Sequence, residues 1–304
     1  MTTQTPNTSA ALMGALVADA ATLGLHWIYD PDRIAKVAGN APAFTPIDPA
    51  NFEGVPAYFA HAQRRDGDLS QYGEVLLLAM RSMDEQGAFD VTAYQDAYSA
   101  FFGAGGPYNG YIDRPTRGAL ANIAADIRAP SGTDDDQHPA IATLPAIVAH
   151  YHGNEALPAM IQTAMQVTNV NAVADHYAAI FADLLLDVLA GTPLKTALNS
   201  AAQREPLLHA ALTTSETNST AYGQITERAC HLPQGMPLSF HILNNTDSFQ
   251  AAIDANILAG GDNCGRAIII GSLAGAAYGL ENIPLEWLLS MNAAQESWSL
   301  AKKI

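Results

Sequence analysis

The stretch "ILAGGDNCGRAIIIGSLAGAAYGL", from Ile257 to Leu280, puts Asp262, Asn263, Cys264 and Arg266 where a Gly-Gly turn opens into a long apolar run. Free backbone N–H groups and the helix dipole stabilise an anion at such a helix mouth and can pull a thiol below its usual ~8.5. Arg266 adds positive charge. Two readings of Cys264 stand: a nucleophile with His26 as its base, or a small residue filling a tight helix entry. Asp262 caps the helix by accepting its free N–H groups. Asp19 is the odd polar residue on an apolar helix and needs a partner or a raised pKa. It pairs with Arg266 or serves as an acid–base group.

Aromatic residues flank these groups in sequence. His26, Trp27 and Tyr29 in "LHWIYD" line a pocket and orient a ring or sugar, or else Trp27 plugs the end of the first helix. Tyr108 and Tyr111 in "GAGGPYNGYIDRPT" read as an aromatic lid or as a well-packed loop. Gln137 and His138 open a helix, with Gln137, Asn263 and Arg266 as further ligand contacts and His138 as a flank before Pro139. The other histidines, including His150 and His152, read as surface residues, and Cys230 as core.

Helices must position these groups. Leu12, Leu16, Ala20 and Leu23 recur at helical spacing over residues 10–24. Helical patterns follow at residues 69–84, 91–102, 117–127, 139–152, 155–166, 173–190, 194–203, 206–212, 248–258, 264–280 and 285–300. Residues 30–61 read as a long irregular connection, a kind that tends to be functional. Residues 238–243, "LSFHIL", fit a strand or part of a helix. No strand alternation recurs and no linker divides the chain. An all-α single domain over residues 8–304 follows, with a loose tail at 1–7. The run from Cys264 is apolar nearly all round, so it is buried. Gly271, Gly275 and Gly279 lie on one face, each at a cost of about 0.5–1 kcal/mol against Ala. Close approach of the first helix, through Gly14, Ala18, Ala21 and Gly24, is the expected return, and it brings Asp19 and His26 toward Asp262.

Three segments together resemble the ADP-ribosylglycohydrolase family, most of all its J-type crystallins and their bacterial relatives. "GALVADAATLGLHWIYD" is similar to the family's opening helix. "DLSQYGEVLLLAM" stands where the family has Thr-Asp-Asp-Thr-Gln, and "FQAAIDANILAGGDNCGRA" where it has Gly-Gly-Asp-Thr-Asp-Thr. The resemblance implies an all-α fold and a hydrolase. In active members it also implies two Mg or Mn ions between the three segments, held by hard oxygen ligands. Residue by residue, Asp68 and Asp262 match, Leu69 replaces a carboxylate, and Cys264 falls on another. A Cys ligand suits zinc rather than magnesium. No metal centre is therefore expected, beyond a single weakly held Mg at Asp68 and Asp262. Where active members have a Gly-Asn-Gly loop near a diphosphate, this chain has Asp134, Asp135 and Asp136, which repel one.

The chain carries 304 residues, 49% of them hydrophobic, and a formal net charge of −16. No basic stripe exists, so nucleic acid and anionic membranes are poor partners. Two cysteines and no basic leader fit a reducing cytoplasm. Neither apolar run reads as the ~18 clean residues of a membrane span. Nothing fixes an oligomeric state. The expected function is hydrolysis of an N-glycosidic or related C–N bond of a small molecule, with Asp19, Asp68 and Asp262 positioning water. The alternatives are a Cys264-dependent hydrolase or lyase, and a non-catalytic crystallin-like protein.

Overall fold

A computed structural model describes residues 7–304, and among these the secondary structure is helical with only isolated β-bridges. The all-α expectation holds. At the centre lie α1 (Thr8–Thr22) and, far along the chain, a helix over Asn263–Tyr278. Every residue of α1 from Ala10 on is buried. The segment Thr8–Leu25 is long and apolar enough to cross a membrane by length and composition, contrary to the sequence reading, but 89% of it is buried inside the fold. It is a core helix.

The glycines explain the contact. A Cβ on Gly271 would overlap the Gly14 carbonyl oxygen, and one on Gly275 would overlap that of Ala10. Bare backbone therefore meets bare backbone. Gly279 does not share this face: it ends the helix at φ +85. Gly24 packs against Thr45 rather than the late helix.

Three further helices bear on the site: α2 (Gln71–Gln86), α3 (Arg114–Ala124) and α4 (Leu232–Asn244). Ser70 and Asp113 cap α2 and α3 by accepting backbone N–H groups of the first turn. The stretch 238–243 lies wholly inside α4, which settles its ambiguity as helix; packing on the central helices overrides its β-branched and aromatic composition. The Asn263–Tyr278 helix is α5.

Elsewhere the boundaries differ from the sequence reading. Residues 139–152 form two short helices that break at Thr143. Residues 285–300 split into Leu285–Ser290 and Ala294–Ala301, because Asn292 turns its N–H to the Gly67 carbonyl. The supposed irregular connection contains a helix, Pro31–Ala38, started by the Asp30 cap and Pro31. Residues 1–6 of the expected tail lie outside the described residues. Asn7 is fixed by its amide, which donates to the Ala276 carbonyl at 3.1 Å.

Candidate functional site

Gly260 and Gly261 take φ +74 and +68, and a side chain on Gly261 would overlap the Arg228 carbonyl. This turn lets the chain reach α5 with Asp262 fully buried at its N-cap. Four donors then converge on the Asp262 carboxylate. Oδ1 accepts from the Gly265 N–H at 3.1 Å and pairs with His26 Nε2 at 2.8 Å. Oδ2 accepts from the Tyr72 hydroxyl at 3.0 Å and pairs with His138 Nδ1 at 2.9 Å. Burial alone would push this carboxyl up, but His138 and His26 hold it well below the usual carboxylate range.

Donor counting fixes the tautomers. An ionised Asp262 only accepts, so His26 carries its proton on Nε2. Burial pushes His26 below its ordinary value, so the ring is neutral and its Nδ1 is an acceptor. The partner of that Nδ1 is His61 Nε2, at 2.7 Å. His61 therefore donates from Nε2, and its Nδ1 is a bare lone pair, buried and without a protein partner. The result is a directed chain, His61 to His26 to Asp262. His138 braces it from the other oxygen, its ring admitted between Gly235 and Gly265, where any Cβ would overlap the imidazole.

His26 and His61 both line a cavity of about 10 Å³, enough for one water molecule. It is lined by His26, His61, Ser70, Gln71 and Asp113 together with Trp27, Tyr72 and Tyr111, and the surface they expose to it is mainly apolar. Gln71 donates to Asp113 Oδ2 at 2.6 Å and accepts from the Asp113 N–H at 2.7 Å. Burial, partly offset by these bonds and by Thr116, raises the Asp113 carboxyl to about 6. Behind Ser70 lies Asp19, which accepts from the Ser70 N–H at 2.7 Å and from its hydroxyl at 2.5 Å. Burial raises Asp19 to about 7.

Several expected residues lie elsewhere. Asp68 accepts from the Arg65 N–H at 2.9 Å and from Asn292 at 2.8 Å, and shares no partner with Asp262. It caps a surface turn. Asp19 does not pair with Arg266: the guanidinium donates to Asn256 Oδ1 and to the Gly260 carbonyl, so it braces the Gly-Gly turn. Asn263 is likewise spent inside the fold, donating to the Leu25 carbonyl at 3.4 Å. Tyr29 and Tyr108 do not line the cavity. Tyr29 gives its carbonyl to Arg228, and the Tyr108 hydroxyl holds the Tyr111 carbonyl at 3.0 Å. The Gln137 N–H closes a turn on Asp135, and it is His138, the supposed flank, that reaches Asp262. His61, Tyr72, Gln71 and Asp113 are not singled out by the sequence reading. Only a buried, bonded histidine before a proline could have signalled His138, and sequence does not reveal burial.

Cys264 is fully buried, with Sγ 4.0 Å from the Asp19 carbonyl. Burial and the nearby Asp19 and Asp262 charges push its thiol well above the ordinary value. The helix-mouth argument loses to desolvation here. Cys230, read as core, is half-buried, with a thiol pushed by burial up to about 12. Neither thiol is activated. Disulfide-exchange reagents are therefore expected to titrate Cys264 only on unfolding, and fast reaction of native Cys264 near neutral pH would contradict this geometry.

These features place the chain in a class, all-helical proteins with a polar centre at the N-terminus of a buried glycine-rich helix. The ADP-ribosylglycohydrolase family model matches residues 3–304, and the chain belongs to that family. It is 29% identical to Crystallin J1A of Tripedalia cystophora and 25% identical to Crystallin J1B of the same animal, in both cases over 97% of this chain and 95% of the relative. A solved "ADP-ribosylglycohydrolase-related protein complex" superposes with a TM-score of 0.73 at 19% identity, covering 100% of this chain and 98% of that one, and so shares the fold.

The two-ion centre implied by the resemblance finds a poor donor set. The lone pairs of Asp262 are engaged by four protein donors. Leu69 offers none, and Asp68 is held in a surface turn by other partners. A single Mg shared by Asp68 and Asp262 meets the same obstacle. Three of the groups holding Asp262 are histidine and tyrosine side chains whose hydrogen bonds occupy the positions a cation would need.

Proposed function

We propose that this protein is a cytoplasmic hydrolase of an N-glycosidic or related C–N bond in a small molecule, working without a resident metal pair. The observation that carries the reading is His61, which lines the cavity, bonds to His26 in the His61–His26–Asp262 chain and keeps a buried Nδ1 with no protein partner. A water in the cavity gives a proton to that nitrogen as its oxygen attacks the glycosidic carbon, and the C–N bond breaks with its electron pair leaving on nitrogen. Asp262 stabilises the positive charge that arrives on the paired imidazoles, as a buried carboxylate does behind a catalytic histidine. Asp113 and Gln71 line the same cavity, bonded to each other and to Thr116. The three consecutive carboxylates at residues 134–136 disfavour a diphosphate, so release of ADP-ribose from ADP-ribosylated arginine is expected to be weak.

Similarity to Crystallin J1A over nearly the whole chain, together with a cavity that admits one water, favours a second reading, in which the same network is only a core brace. The test is a panel of N-glycosides incubated with the protein in EDTA. Release of the nitrogen base from at least one, reduced about a hundredfold or more by His61→Ala, is expected. Activity that EDTA abolishes would defeat the metal-free part. No release from any member, with a folded protein, would leave the core brace as the better account.

A further inference from the structure

A second set of groups with catalytic geometry shares no residue with the Asp262 centre. His241 on α4 is fully buried, contrary to the sequence reading of the remaining histidines as surface residues. Its ring is fixed at both nitrogens. Nε2 bonds to the Glu216 carbonyl oxygen at 2.8 Å, and a carbonyl only accepts, so Nε2 carries the proton. Burial pushes the ring below its ordinary value, so it is neutral and Nδ1 is a lone pair. The Ser219 hydroxyl donates to that lone pair at 3.1 Å. Tyr222 stacks flat on the imidazole, with centroids 4.2 Å apart and planes 6° from parallel. The order is a nucleophile, a base and a group that orients the base, each within hydrogen-bond reach of the next.

The turn that presents Glu216 is itself held in place. The Glu216 N–H donates to the Thr214 hydroxyl at 3.2 Å, and the Asn218 N–H donates to the Glu216 carboxylate at 2.7 Å. The Glu216 carbonyl and its carboxylate charge both favour a positive imidazole, the species formed when His241 takes a proton. Ser219 opens the short helix Ser219–Ile225 and is only half-buried. Its neighbours Asn218, Thr220 and Ala221 line a surface groove of about 610 Å³, together with Leu258, Asp30 and Asp32. No Lys or Arg lines that groove, so its two carboxylates repel anions.

We propose that Ser219 is a nucleophile with His241 as its base, and that this second site hydrolyses small uncharged or cationic carboxylic esters held in the groove. The proposal does not rest on the C–N hydrolysis reading above. His241 takes the Ser219 proton as Oγ bonds to the ester carbonyl carbon. The carbon–oxygen bond to the alcohol breaks, and the alcohol leaves with the proton from His241. Water then gives a proton to His241 as its oxygen attacks the acyl carbon. The bond to Ser219 Oγ breaks, Oγ takes the proton back, and a carboxylic acid leaves. A carbonyl orients the imidazole but supports its positive charge less than a bonded carboxylate does, which suits the readily departing alcohol of an ester. A Ser219 that only anchors the ring makes the same hydrogen bond, so reactivity at Oγ separates the two roles.

The experiment treats the intact protein with an uncharged fluorophosphonate probe and locates the label by peptide mass spectrometry. In parallel it follows p-nitrophenol release from p-nitrophenyl acetate and from the anionic p-nitrophenyl hemisuccinate. Labelling of Ser219 about a hundredfold or more faster than in His241→Gln is expected, with acetate turnover lost in Ser219→Ala. The hemisuccinate is expected to react about tenfold more slowly than the acetate. Ser219 is half-buried at the start of a short helix, so Ser219→Ala keeps the fold, and its result decides even where His241→Gln does not fold. No label on Ser219, a labelling rate that His241→Gln leaves unchanged, or acetate turnover that survives Ser219→Ala would overturn the proposal. Equal rates on the two esters would overturn the substrate class.

Discussion

Replacing Asp262 by alanine is expected to cost about 3–5 kcal/mol of stability, because it strands several buried donors at about 1–3 kcal/mol each. The count of stranded donors sets the size. Loss of the carboxylate leaves the Tyr72 hydroxyl, the His26 and His138 ring N–H groups and the Gly265 N–H without acceptors, all in a centre closed to solvent. Each buried unpaired group costs about 1–3 kcal/mol, and loss of the α5 cap adds about 1 kcal/mol; relaxation and shared effects keep the total below the sum. Asp262→Asn keeps the shape but turns an amide N–H₂ toward donors, so it is expected to lose much of the same stability. Urea unfolding of the two variants measures this. A loss under about 1 kcal/mol for Asp262→Ala would mean the network is not the brace described. Any N-glycoside hydrolysis should vanish in both.

The second large effect lies away from the cavity. Gly271→Ala is expected to destabilise by about 1–3 kcal/mol as an overpacked core substitution, even though Ala is the better helix former by about 1 kcal/mol. The added methyl meets the Gly14 backbone, which cannot rotate away as a side chain could. Gly271→Val, with two further methyl groups, is expected to yield no folded protein. Because α5 carries Asp262 and α1 leads into His26, Gly271→Ala should also lengthen the 2.8 Å His26–Asp262 bond. Thermal melts give the first result and histidine NMR shifts the second. A neutral or stabilising Gly271→Ala would show that the two helices are not in backbone contact.

The crossing of α1 and α5 is legible in the amino-acid pattern, because small residues every four positions on a helix have one common cause. So are the helical class and the cap at Asp262, which follow from periodicity and short-range hydrogen bonding, and the approach of His26 to Asp262, which follows from that crossing. The same local pattern misleads at Cys264. Its position in the first helical turn is visible in sequence, but its depth is not, and depth reverses the direction of the thiol shift. Asp19 and Arg266 are likewise legible as buried charges needing partners, while their partners, Ser70 and the Gly260 carbonyl, are not.

Sequence by itself determined the helical class, the central helix pair and the carboxylate at the helix mouth, since each depends on residues a few positions apart or on backbone geometry. Tertiary structure decided the chemistry. Residues 26, 61, 72, 138 and 262 meet from distant parts of the chain, and hydrogen bonds act over about 3 Å and in fixed directions. Which side chains fill the Asp262 lone pairs, and which imidazole nitrogens, on His61 and His138, stay without a partner, is therefore set by packing that no local pattern encodes.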